Sequence, residues 1–216
     1  MKQLAGLAAL MLAACASNPP PPDWQMNAKS ASERSVAAYL VGSARVDAAE
    51  LARARAEVAR TGRADLLARV ELTHCAAQVA SLVFDACVAF EPLRADVPGP
   101  ERAYADYLAG KLAAPDAALL PEAHRAVATN AAALPGVADP LSRLVAAGVL
   151  FETNRADPQV IQIAIDTASA QGWRRPLLAW LTVQLRRAEA AGAADAAQQL
   201  RRRLLIVEGG AAPALP

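Results

Sequence analysis

Histidine is nearly missing from this chain, which has only His74 and His124, so a histidine-based catalyst or metal centre has very little to draw on. Glu71 and His74 form a Glu-x-x-His pair of the kind that builds di-metal sites in helical bundles. Such sites need a second copy, and Glu122 and His124 are spaced by two, so no metal and no metal cofactor is expected. No Gly-x-Ser-x-Gly elbow, no Gly-rich phosphate loop and no His-Glu-x-x-His helix occurs, which removes the commonest hydrolase, nucleotide and zinc-protease signatures. Aromatic residues make up 4% of the chain, lysine is confined to Lys2, Lys29 and Lys111, and the formal charge is +1. A balance that close to neutral gives no global pull toward nucleic acid or an anionic surface. Sustained alternation of β-branched and aromatic residues is absent too, which argues against a sheet.

What is present begins at the amino terminus. Met1-Lys2 supplies a positive start, residues 4–12 an apolar run, and Ala13-Ala14-Cys15 a small-residue close, the pattern of a secretory leader spanning 1–14. The run is far short of the roughly 20 residues a bilayer-spanning helix needs. Leu12-Ala13-Ala14-Cys15 resembles the lipobox of bacterial lipoproteins. That resemblance implies a Cys15 carrying covalent lipid as the first residue of the mature chain, and Ala16 rather than Asp after it implies the periplasmic face of the outer membrane. Two or three acyl chains, at about 0.8 kcal/mol per buried CH₂, would hold the protein firmly where one chain binds only marginally.

Residues 15–24 then read as the lipidated cysteine and a linker whose four prolines, Pro19 to Pro22, favour a stiff extended spacer. From 25 to 208 the pattern is helical, and Gly209, Gly210, Pro213 and Pro216 mark a loose tail at 209–216. The fold class expected is all-α. Helices are predicted over 25–41, 46–60, 64–84, 100–112, 115–133, 140–153, 158–171, 175–191 and 193–207. The firmest starts are Asp139-Pro140 and Asp157-Pro158, each an Asp cap followed by a proline whose missing N–H costs nothing in a first turn.

Two segments share a helix–turn–helix grammar: Tyr39 and Gly42 before Ala48, Ala49, Leu51, Ala52 and Ala56, and Trp180 and Leu181 before Gly192, Ala196, Ala197 and Leu200. They resemble degenerate tetratricopeptide hairpins, in which large residues of one helix meet small residues of the next. The resemblance implies a superhelix of hairpins. An irregular helical bundle is the other arrangement open to these residues, since no regular repeat runs through the middle of the chain.

Cys75 and Cys87 are candidates for a disulfide in an oxidising compartment. On one continuous helix they would lie about 18 Å apart, so a bridge requires the chain to reverse after about residue 81; the alternative is two buried thiols. Arg174, Arg175, Arg186, Arg187, Arg201, Arg202 and Arg203 bias the last helices toward positive charge, a candidate contact for an anionic partner or simply a solvated face. Trp173 and Trp180 are expected as core anchors. Together these features predict a membrane-anchored envelope lipoprotein that is not an enzyme and binds an envelope protein or cell-wall partner, with no role in nucleic-acid binding. The competing readings are a carboxylate-based hydrolase of cell wall or lipid and a carrier of an apolar ligand.

Overall fold

A computed structural model describes residues 20–85 and 87–209 of the chain. The leader at 1–14, Cys15 and the tail from 210 onward lie outside the described residues. Among the described residues there is no strand, and the fold is all-α. The α-helices are α1 (Asp23–Val41), α2 (Ala44–Ala59), α3 (Ala64–Ala80), α4 (Gly99–Leu108), α5 (Glu122–Thr129), α6 (Pro140–Glu152), α7 (Pro158–Gln171), α8 (Arg174–Ala190) and α9 (Ala194–Val207). Short 3-10 turns at Glu91–Asp96, Ala114–Leu119 and Ala131–Gly136 fill the middle.

The helix ends follow local chemistry. Asp139 accepts a hydrogen bond from the Ser142 N–H at 2.7 Å and Asp157 one from Val160 at 2.8 Å, so both proline-started helices carry the expected cap. Helix α1 opens at Asp23, two residues before the predicted start, because Pro22 is suited to the position just ahead of a first turn. The predicted helix over 115–133 does not form as one piece. Pro121 has no N–H to donate and displaces its predecessor from helical geometry, so the segment splits into a 3-10 turn, α5 and a second 3-10 turn. Helix α4 likewise stops at Leu108 and not at 112.

The helix predicted over 64–84 ends at Ala80. Leu82 takes a left-handed conformation, φ 58°, and the Val83 N–H returns to the Gln78 carbonyl at 3.0 Å. A branched residue there costs on the order of 1 kcal/mol, offset by the half-buried Leu82 side chain packed on the core. The chain then doubles back and is anchored by Phe90, which is fully buried, and by Val97.

Helices α3 and α6 form the centre. Gly148 of α6 faces Val79 of α3 so closely that a Cβ on it would lie 2.4 Å from the Val79 carbonyl oxygen. Trp180 of α8 enters the same place, completely buried, donating its indole N–H to the Ala80 carbonyl at 3.1 Å and meeting Phe151 edge to face at 5.8 Å. A second apolar cluster, built from Ala28, Ala31, Leu51, Ala54, Val58 and Val70, lies under the α1–α2 hairpin.

The two hairpins suggested by the sequence exist, but their contacts differ from the resemblance. Helix α2 buries Asp47, Leu51, Ala54 and Val58, leaving Ala48, Ala49 and Ala52 exposed and Ala56 exposed as well. In the second hairpin Ala197 is buried and Ala196 is not. Nor do the hairpins stand apart, since Arg175 of α8 donates to the Tyr39 carbonyl of α1 at 2.8 Å and covers its ring at 4.2 Å. Both arrangements open from sequence are all-α, and the observed helices are consistent with a bundle or a superhelix in which α1 also touches α8.

Replacing Gly148 with Ala should force α6 off α3 and cost about 2–3 kcal/mol in urea unfolding. Gly136→Ala, where a Cβ meets nothing within 4 Å, should change stability by less than about 0.5 kcal/mol.

Candidate functional site

Helix α3 is apolar on several sides, and a helix of that kind must find something to face on each of them. Its inward side meets α6. Its outward stripe of Leu66, Arg69, Val70 and Thr73, at the i, i+3, i+4, i+7 spacing of one helical face, looks across at a stripe of α1 running from Gln25 to Leu40. Between the two helices runs an open groove of about 720 Å³. Ala28, Val36, Leu40, Leu66 and Val70 make it apolar, and Leu141 and Trp173 wall it from the α6 and α8 side. Trp173 precedes α8 and is half-buried, whereas Trp180 is the core anchor.

Arg69 and Thr73 also line a second recess of about 560 Å³, so the two hollows adjoin along α3. This recess is walled by Leu72 of α3, by Glu101 and Tyr104 of α4, by the Leu119–Pro121 stretch and by Arg125 of α5. Arg69 donates its Nε to Glu101 Oε1 at 2.8 Å. The Glu101 side chain is only 8% exposed, and its second oxygen has no hydrogen-bond partner among the described residues. Arg125 donates its Nε to the Leu120 carbonyl at 2.8 Å, which fixes the side chain beside the recess while its terminal nitrogens stay uncommitted.

Behind the recess, His124 is buried against Tyr104 and Tyr107, with ring centroids 5.5 and 5.1 Å away. It is part of the core. Burial lowers its pKa to about 4, against a weaker opposing pull from Asp139, and raises the hydroxyls of Tyr104 and Tyr107 well above their usual range.

A polar seam joins α1, α2 and α3. Ser35 donates to Asp47 Oδ1 at 2.7 Å, His74 Nε2 lies 3.0 Å from the same oxygen, and Arg55 grips Glu71 through two contacts of 2.6 Å. Although serine, histidine and aspartate meet here, the carboxylate sits between the other two. The Ser35 hydroxyl is 1% exposed and turned to Asp47, not to the imidazole, so the serine–histidine contact of a nucleophilic triad is not made. Glu71 and His74 have separate partners, and among the described residues no group of three His, Cys, Asp or Glu could hold a metal ion.

Of the residues singled out in the sequence, Cys15 is outside the described region. Cys75 and Cys87 are joined by a disulfide with Cα atoms 5.6 Å apart, which closes the reversal after α3. The arginines are dispersed: Arg174 donates to the Glu208 carbonyl, Arg175 is committed to Tyr39, Arg201 pairs with Glu189 and Arg203 reaches Ser169. Arg186, Arg187 and Arg202 are exposed. Arg174 and Arg186, twelve residues apart on α8, are separated by about 18 Å along its axis.

Arg69, Glu101 and Arg125 escaped the sequence reading, because one arginine among many carries no mark. The available signal was the apolar outward face of α3 at Leu66 and Val70. Comparison of the chain with known protein families, with curated proteins and with solved structures finds no match.

Cys87→Ala should lower stability by about 3 kcal/mol, the chain-entropy value for a loop of this length, and abolish sensitivity to dithiothreitol in thermal unfolding. For His124 the lowered pKa means that below its unfolded value near 6.5 the unfolded chain takes up a proton that the native chain refuses. Its contribution is therefore intact above about pH 6.5 and is lost as the pH falls toward 4, with about 2 kcal/mol gone by pH 5. His124→Phe should remove that portion of the decline when urea unfolding at pH 7 and pH 5 is compared.

Proposed function

We propose that this protein is a lipid-anchored envelope protein of the bacterial periplasm whose helical body works by binding, with the α1–α3 groove as the binding surface. The observation that carries the reading is the groove itself: a long apolar hollow, edged by Gln25, Lys29, Ser32 and Glu33 and open to solvent. Pockets of roughly 300–1,000 Å³ with apolar walls and a few polar groups at the edge are the usual form of a ligand or peptide site. The seam at Ser35, Asp47 and His74 lacks the order a nucleophilic hydrolase needs, which favours binding over catalysis.

The anchor reading rests on the lipobox resemblance at Leu12 to Cys15. One finding supports it: the Cys75–Cys87 disulfide suits a compartment outside the reducing cytoplasm. Helix α1 begins eight residues after Cys15, which would put the groove close to the bilayer surface at the end of a short proline-rich spacer.

In cells, Cys15→Ala should move the protein out of the detergent-soluble outer-membrane fraction or leave it as an uncleaved precursor. A photo-crosslinking residue at Ser32 or Thr73 should capture a partner that the same residue at Arg202, on α9, does not. Equal capture at both places would remove the groove from consideration, and unchanged membrane retention of the Cys15 variant would remove the anchor.

A further inference from the structure

The groove between α1 and α3 has its charges already engaged. Lys29 lies 3.8 Å from Glu33, Arg69 is bonded to Glu101, and the Asp139 carboxylate caps α6. What remains for an occupant is apolar wall, with Gln25, Ser32 and Gln171 as polar groups at the edge. An uncharged segment fits such a hollow, because a charged one would lose its water without gaining a partner. One end is walled by Trp173, which packs with Leu141 against the cluster of Val36, Tyr39 and Leu40. A groove with an aromatic wall is the form in which proline-containing peptides are held, since their extended conformation is set before binding.

The chain itself supplies such a segment. Residues 210–216, which follow the last described residue, read Gly-Ala-Ala-Pro-Ala-Leu-Pro and contain no charged side chain. Helix α9 delivers them to the Trp173 end: the Glu208 carbonyl accepts from Arg174, the residue after Trp173, at 3.2 Å, and Gly209 turns the chain off the helix axis with φ 86°. At about 3.1 Å per residue this segment extends about 22 Å. The groove follows α1 from Gln25 to Leu40 over the same length, about 22 Å at 1.5 Å per residue. The other proline-rich stretch is turned to solvent, since Pro20, Pro21 and Pro22 are exposed where they lead into α1. We propose that residues 210–216 occupy the Trp173 end of the groove as a tethered ligand, with Pro213 and Leu215 against its apolar walls, and that a partner gains the groove by displacing them. The assignment rests on the groove being a binding surface and adds the chemistry of what it takes: an uncharged, extended, proline-containing peptide. Tethering offsets the small contact area, because a segment joined to the body beside its site meets it at an effective concentration on the order of millimolar.

The test uses the purified full chain with photoreactive benzoylphenylalanine in place of Leu215, irradiated as an equal mixture of isotopically light and heavy chains. Linked peptides are located by mass spectrometry. Links should join the tail to residues 25–40, 64–73 or 171–173, and each linked pair should come from a single chain, light to light or heavy to heavy. A second measurement reads the groove by its binding of Nile red, an uncharged apolar dye. Leu215→Asp exchanges a docked leucine for a charge and should raise the dye's affinity by about fivefold. Ile206→Asp, at an exposed apolar position of α9, should leave it unchanged. Leu215 lies outside the helical body, so circular dichroism should be the same for the Leu215→Asp chain.

Links confined to α9 or to other parts of the body, links mainly between light and heavy chains, or a Leu215→Asp chain that binds the dye as the unaltered chain does would each overturn the proposal. In cells, capture by a photoreactive residue at Ser32 should rise when Leu215→Asp is added. If the tail links elsewhere while Ser32 still captures a partner that Arg202 does not, the tail assignment fails and the binding groove stands. If the tail links into the groove while Ser32 in the Leu215→Asp chain captures no more than Arg202, the tail assignment stands and the groove as a partner's site fails.

Discussion

The close approach of α6 to the end of α3 fixes most of what surrounds it. Gly148 lets the helices meet at backbone distance beside Val79, and the indole of Trp180 then occupies the next turn by bonding the Ala80 carbonyl. That carbonyl lies in the last turn of α3, where no intrahelical donor follows it. A tryptophan N–H buried without a partner would cost about 1–3 kcal/mol, as would the orphaned carbonyl. Each group settles the other, and α8 is thereby tied to α3 across a sequence separation of 100 residues. With α3 held at this end, its outward face looks toward α1, and the groove runs between the two.

Much of this was readable beforehand because it depends on local rules. Asp139, Asp157 and their following prolines act within one turn, so a single sequence suffices to place those helix starts. The disulfide and the helix break after α3 were coupled in the same way, since a bridge between Cys75 and Cys87 is geometrically impossible on a straight helix. Errors arose where the deciding event was either a proline passed over, as at Pro121, or a tertiary contact. The hairpin resemblance illustrates the second kind. Ala48, Ala49 and Ala52 are suited to close packing by size, yet α2 turned Asp47, Leu51, Ala54 and Val58 inward because Asp47 had Ser35 and His74 to bond. Nothing in the spacing of small residues reveals that a buried aspartate will choose the face.

The groove was illegible for a related reason. Its apolar residues, Val36, Leu40, Leu66 and Val70, follow the same helical period as core residues, and periodicity identifies a face without saying whether anything covers it. Val36 and Leu40 are nearly fully buried by their neighbours and still line the hollow. Only the tertiary placement of α1 beside α3 leaves that face as a groove wall.

The arginine excess takes on a different meaning in this light. Arg34 joins α1 to α2 through Glu50, Arg55 joins α2 to α3 through Glu71, Arg69 joins α3 to α4 through Glu101, and Arg175 joins α8 to α1 through Tyr39. Arg201 and Arg203 do the same for α9 against α8 and α7. Where both charges are exposed such a pair contributes about 0–1 kcal/mol, and where the carboxylate is buried, as at Glu71 and Glu101, desolvation offsets much of the attraction, so neither kind alone holds helices together. What they can do is select register, because a planar fork matched to one carboxylate penalises a helix displaced by a turn. In a chain rich in alanine, whose small side chains pack nearly as well after a shift along a neighbour, that selection has value beyond its energy. Other arginines fasten a connection to the helix that follows it: Arg102 donates to the Val97 carbonyl, Arg125 to that of Leu120 and Arg143 to that of Val137, each holding the residues just ahead of its own helix against it.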